Sequence, residues 1–210
     1  MYKQKLIDIL KDVSVKYGDF KLSGGKKSNF YIDGKQTALN AQGSYLISKM
    51  ILEKLNPEVV AVGGMTIGAD PIVGAVASMS WSPECDNKYP VQGFIIRKDI
   101  KKHGTYKYVE GMGNLQKGDF VCILEDTCTT GVSVLSAISK AEHEGLKVVQ
   151  VITVVDRQEG AKERIESAGY PFTALILKED LISEESKDDN EKNKEIVEQA
   201  VSKNCKEVGK

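Results

Sequence analysis

Glu125 and Asp126 stand side by side after the apolar run Val121-Cys-Ile-Leu124, and a mostly small, hydroxylated stretch follows, Thr127-Cys128-Thr129-Thr130-Gly131-Val132-Ser133. The apolar run suits a buried strand, and VSVLSAISKAEHEG beyond it has helical periodicity. The first N–H groups of a helix have no partner within it and carry partial positive charge. Gly131 lets an anion approach them, and the threonine and serine hydroxyls add donors, so the turn can cradle a phosphate. Two carboxylates beside a phosphate nest have a use if the ligand is a sugar. They accept bonds from vicinal hydroxyls, helped by a hydrated Mg²⁺. The stretch lacks the terminal Gly-Lys-Ser/Thr of a Walker A loop. Read alone, it is equally an ordinary strand–turn–helix with a capping threonine.

Two further stretches could handle phosphate. Between Arg97 and Tyr108 stand Arg97, Lys98, Lys101, Lys102, His103 and Lys107 against one acid, Asp99. Such a basic loop suits a mobile flap over a di- or triphosphate. It could also be a solvated loop, and a nucleic-acid patch would have to work from this loop alone. Gly63-Gly-Met-Thr-Ile-Gly-Ala-Asp70 is a glycine-rich connection whose amides could face an anion. Three phosphate-friendly loops on one edge of one sheet are harder to attribute to sterics than any one of them.

The elements that must position these loops are legible as periodicities. Leu6, Ile9, Leu10 and Val13 mark an amphipathic helix in YKQKLIDILKDVSVKYGD. Phe30 to Gly34 suits a strand, Asn40 an N-cap for a helix through SYLISKMILEKL, and Asp70-Pro71 a cap and first turn. Further strands are expected at 59–62, 91–96, 120–124, 148–155 and 172–176. Strands alternating with helices, and apolar throughout their interiors, imply an α/β fold with a parallel sheet covered on both faces. Trp81 is expected to pack at a helix end, Cys122 to lie in the core and His143 to be exposed.

Composition sets the outer bounds. The 210 residues suffice for one core without disulfides, and a formal net charge of -1 argues against a bulk polyanion partner. Four cysteines without CxxC spacing and two histidines leave little for a zinc site. Free thiols, with no evident signal peptide and no apolar run near the roughly 18 residues that span a bilayer, lead to the expectation of a cytoplasmic protein. Residues 1–183 read as one domain, and 184–210 as a charged, partly helical tail.

ILEDTCTTGVS resembles the 5-phosphoribosyl-1-diphosphate (PRPP) signature of the type I phosphoribosyltransferases. SGGKKSNFYIDGK, GGMTIGADP, RKDIKKHG and VVDRQEGA together resemble the orotate phosphoribosyltransferases, from about residue 18 to 183 and in the right order. The resemblance implies the type I fold, with a small N-terminal hood and a mobile basic loop, and transfer of the phosphoribosyl group from PRPP to orotate with Mg²⁺. By position, Glu125 and Asp126 would bind the ribose hydroxyls, Thr127 to Ser133 the 5-phosphate, and Arg97, Lys101 and His103 the diphosphate. Lys98 would reach the neighbouring site of a homodimer. Thr129 and Arg157 would contact orotate, with Tyr31 and Ile32 near its ring. Two positions depart from some members: Ser23 replaces a basic residue, and Ile67-Gly68 replaces Tyr-Lys.

The resemblance makes Lys101 and Asp126 the catalytic candidates, with Mg²⁺ held mainly through PRPP and possible help from the carboxylate pair. Arg157 in DRQEG argues against a purine enzyme of the same superfamily. A regulator that binds PRPP would be expected to carry a DNA-binding appendage or an extended basic face, and neither is expected from this sequence.

Overall fold

The computed structural model describes residues 1–21, 27–83, 90–99 and 108–182. The chain opens with helix α1 (Tyr2–Ile9), a π-helical turn (Leu10–Ser14) and a hairpin of β1 (Val15–Lys21) and β2 (Lys27–Ile32). There follow α2 (Gly34–Ala38), α3 (Ala41–Lys54), β3 (Ala61–Met65), α4 (Asp70–Ser80), β4 (Gln92–Ile96) and the short β5 (Val109–Glu110). The second half comprises β6 (Phe120–Cys128), α5 (Val132–His143), β7 (Lys147–Asp156), α6 (Ala161–Ser167), β8 (Phe172–Leu177) and α7 (Lys178–Leu181).

Six strands form the main sheet in the order β5-β4-β3-β6-β7-β8. All neighbours run parallel except β5, which is antiparallel to β4. One face packs on α1, α3 and α4, where Leu6, Ile47, Ile51 and Ile72 meet Cys122, Leu124 and Ile152. The other packs on α5 and α6, where Val134, Ile138 and Ile165 meet Phe94, Val121 and Ile123. Burying an isoleucine or leucine fully contributes about 1.5–3 kcal/mol. The doubly covered parallel sheet is the expected one, and Cys122 lies in the core. Among the described residues, no helix is long and apolar enough to cross a membrane.

Several boundaries differ from expectation. The first helix stops at Ile9, and Val15–Lys21 becomes a strand. Ser14 fixes the break: its hydroxyl meets Thr37 Oγ1 at 2.6 Å and accepts from Thr37 N–H, while its carbonyl accepts from Asp33 N–H at 2.9 Å. β3 begins at Ala61 and includes Gly63 and Gly64, which the sequence placed in a loop. A Cβ on Gly63 would overlap the Phe94 ring, and one on Gly64 the Leu124 carbonyl, so close packing within the sheet explains both glycines. Asn40 caps α3 as expected, accepting from Gly43 N–H at 3.0 Å. α4 is capped at Ala69 with Asp70 one position inside, and no side chain supplies a cap bond. Trp81, expected to pack at a helix end, is the C-cap of α4 and is 77% exposed. Residues 183–210, including the expected tail, lie outside the described residues.

Candidate active site

The carboxyl ends of β4, β3, β6 and β7 lie side by side, as the sheet order requires. Each leads into one of the stretches singled out for chemistry, at the edge where open parallel sheets bind ligands. A cavity of about 540 Å³ opens there beyond β3 and β4, lined by Thr66, Asp70, Ile95, Arg97, Lys98, Asp99 and Glu110.

The carboxylate pair sits inside β6, not after it. β6 pairs with β7 through Thr127↔Val155 and Cys128↔Asp156, so the strand runs four residues beyond the expected end. Asp126 is buried, and its Oδ1 accepts from the Thr127 N–H at 2.9 Å. The backbones of two loops close on it. A Cβ on Gly68 would lie 2.5 Å from Asp126 Oδ1, and one on Gly34 would lie 3.1 Å from its Oδ2 and 2.7 Å from Thr127 Oγ1. Burial raises the Asp126 pKa, opposed by the Lys35 ammonium and the Thr127 N–H. Lys35 Nζ itself lies 2.6 Å from Asp33 Oδ1. Glu125 has less support: burial and then the Asp126 charge push its pKa up to about 8, with Lys98 opposing.

The strand–turn–helix around Gly131 has the expected backbone form. Thr129 to Gly131 make a short turn, and Gly131, at φ 76°, precedes α5 in the left-handed conformation that glycine tolerates best. Thr130, Val132 and Ser133 are exposed beside the first turn of the helix. Cys128 is buried, and burial followed by the nearby Glu125 and Asp156 charges pushes its thiol up to about 12. A thiolate nucleophile is therefore absent there at neutral pH.

Arg157 follows β7 and is 4% exposed. Its N–H donates to the Cys128 carbonyl at 2.9 Å, tying the ends of β7 and β6 together. Its guanidinium lies 5.1 Å from the Phe30 ring centroid, with Nη2 3.1 Å from Glu159 Oε1. Gln158 takes the left-handed conformation, φ 56°, and its N–H donates to Asp156 Oδ1 at 2.8 Å.

Buried polar atoms in folded proteins are nearly always hydrogen-bonded. Among the described residues, the buried side-chain polar atoms without a hydrogen bond include Asp70 Oδ1, Glu125 Oε2, Thr127 Oγ1 and Arg157 Nε. A further one, Asp33 Oδ1, is offset by the Lys35 ammonium. All lie at this one sheet edge, in the last residues of its strands, its loops or the first turn of α4. The arrangement offers carboxylates to hydroxyl donors, amides to a phosphate, and an unfilled guanidinium edge to a planar anion. Among the described residues no cluster of three histidine, cysteine or acidic side chains could hold a metal. A divalent cation would take most of its ligands from phosphate and sugar oxygens, and the free Glu125 Oε2 and neighbouring Asp126 suit a supporting part.

The structure thus brings together Glu125 to Ser133, Arg157, Arg97 and Lys98. Arg97 Nε pairs with Glu110 at 2.8 Å. Lys101, His103 and Ser23 lie outside the described residues. The ring over Arg157 is that of Phe30, whereas Tyr31 pairs with Phe20 at 5.6 Å and Ile32 joins the core. Ile67, at one departure from the family pattern, is 69% exposed, and the Thr66–Ile67 peptide is cis. Sequence reasoning missed Asp33, Lys35 and Gly68 as neighbours of Asp126. An acid and a base directly after the FYI strand were the available signal for the first two.

No family model matches the chain. The orotate phosphoribosyltransferase of Nostoc sp. is 43% identical over 179 residues, spanning 85% of this chain and 84% of that protein. That of Aquifex aeolicus is 40% identical over 186 residues, spanning 86% and 97%. Among solved structures, the orotate phosphoribosyltransferase of Mycobacterium tuberculosis in complex with PRPP is similar with a TM-score of 0.69 at 30% identity, covering 86% of this chain and 99% of that one.

Proposed function

The chain belongs to the orotate phosphoribosyltransferase family, and from that premise we propose how its residues divide the reaction. The activity is transfer of the 5-phosphoribosyl group from PRPP to N1 of orotate, giving orotidine 5-monophosphate and diphosphate in pyrimidine biosynthesis. The observation that carries the assignment of residues is the set of unpaired buried atoms at one sheet edge, whose acceptors and donor match a ribose diol and a carboxylate.

Asp126 and Glu125 accept from the ribose 2- and 3-hydroxyls, with Gly34 and Gly68 fixing Asp126. Thr127 to Ser133 hold the 5-phosphate through the turn amides, the start of α5 and the hydroxyls. Arg157 presents its guanidinium edge to the orotate carboxylate, and Thr129 lies beside it in the nest. Breaking the bond at C1 develops positive charge on the ribose and negative charge on the leaving diphosphate. Arg97, Lys101 and His103 stabilise the leaving group of their own site by charge and hydrogen bonding. Mg²⁺, bound through PRPP, would neutralise diphosphate charge. Lys98 serves the neighbouring site of a homodimer; within one chain it lines the cavity beside Asp70.

The test is a crystal structure with orotidine 5-monophosphate. The reading expects the phosphate on residues 129–133, the ribose hydroxyls on Glu125 and Asp126, and the carboxylate on Arg157. A base bound away from Arg157 overturns the assignment.

A further inference from the structure

Lys140 lies in the third turn of α5, half-buried, and among the described residues none of its partners is a carboxylate. Its ammonium donates to two backbone carbonyls, Arg97 O at 3.0 Å and Lys98 O at 2.7 Å. It also stands 4.9 Å from the centroid of the Tyr108 ring. These contacts lie where the chain leaves β4 and where it returns toward β5. The same neck is closed by Arg97 N–H donating to the Tyr108 carbonyl at 2.8 Å and by the Arg97–Glu110 ion pair. A single cation thus grips both sides of the neck.

The helix that carries Lys140 begins at the phosphate nest. A helix is rigid over three turns, so the nest and the backbone of Arg97 and Lys98 are held in one frame through this side chain. Hydrogen bonds from an ammonium are roughly twice as strong as neutral ones, and the aromatic face adds to them. We propose that Lys140 is a positioning residue for PRPP: it sets where Arg97 stands relative to the nest of its own chain, which takes the 5-phosphate. The proposal rests on the reading that Arg97 holds the diphosphate.

Lys140→Met keeps the length of the side chain and removes its donors, whereas Lys140→Arg keeps charge and donors. The PRPP KM should rise at least about tenfold in Lys140→Met, which loses both ammonium–carbonyl bonds, with the orotate KM within about twofold of the parent. Lys140→Arg should recover most of the loss. Hydrogen exchange at the Arg97 amide should quicken severalfold in Lys140→Met alone. A folded Lys140→Met protein with an unchanged PRPP KM, or with both KM values raised alike, overturns the proposal and leaves Lys140 a stabilising lysine. Should Lys140→Met not fold, Tyr108→Leu carries the test. It replaces the ring over Lys140 with an aliphatic side chain that still packs on the core, and should raise the PRPP KM about threefold with the orotate KM within about twofold; an unmoved PRPP value overturns the proposal. Arg97→Ala separates the two levels of the reading. If it leaves the PRPP KM unaltered, the diphosphate assignment itself fails. If it raises the PRPP KM and Lys140→Met does not, only the positioning role fails.

Discussion

Replacing Arg157 with alanine isolates the part of the site that distinguishes orotate from other bases. Arg157 is 4% exposed, its Nε is unpaired, and its guanidinium lies over Phe30 and pairs with Glu159. In the parent, an orotate carboxylate would gain charge-assisted hydrogen bonds in a largely dry setting. Losing one such bond costs about 1.5–3 kcal/mol, so the orotate KM should rise roughly 10- to 150-fold. The PRPP KM should stay within about twofold, because the carboxylate pair and the nest are untouched. Stability should change little. Removing a buried cation also removes its desolvation cost, and Glu159, 25% exposed, keeps contact with water. The assay follows PRPP-dependent loss of orotate absorbance over a range of both substrates, with a melting curve as control. A folded variant with the parent's orotate KM would refute the reasoning and reopen a purine base as substrate.

Gly68→Ala should leave the protein folded yet reduce kcat/KM for PRPP at least tenfold, since its Cβ would lie 2.5 Å from Asp126 Oδ1; parent-like steady-state kinetics would show that the carboxylate's position is unimportant. Glu125 is raised from 4.5 to about 8, chiefly by burial, so between those pH values the folded chain keeps a proton that the unfolded chain has lost. Stability from this group therefore falls as pH rises from 4.5 to 8. In metal-free buffer the Tm advantage of Glu125→Gln over the parent should be larger at pH 8 than at pH 5, and a constant difference would contradict the burial argument. Homodimers of Lys98→Ala and of Lys101→Ala should each be nearly inactive. Mixing them should restore up to about a quarter of parental activity through heterodimers with one intact site, whereas no recovery, with subunit exchange confirmed by native mass spectrometry, would exclude a shared site.

The sequence exposed the parts of this protein that repeat or alternate. The apolar interiors of β6 and β7 and the cap at Asn40 were legible because periodicity and capping are local. The turn before α5 was legible because a left-handed position before a helix calls for glycine, here Gly131. What escaped was set by distant partners. Val15–Lys21 is a strand because β2 pairs with it and Thr37 holds Ser14, which nothing in its own helical pattern indicates. Gly63 and Gly64 read as loop glycines, yet they answer to Phe94 and Leu124 on neighbouring strands. Glu125 and Asp126 were recognised but placed outside the strand, because pairing with β7 extends it. Phe30 over Arg157 joins residues far apart in sequence, so local pattern could not single it out.

The most direct measurement supplies the purified protein with PRPP, Mg²⁺ and either orotate or a purine base, and follows base consumption and diphosphate release. The account expects orotate alone to be consumed, one diphosphate released per orotidine 5-monophosphate formed, little turnover by folded Asp126→Asn, and none in excess EDTA. Consumption of a purine in place of orotate, or orotate turnover undiminished in Asp126→Asn, would contradict it.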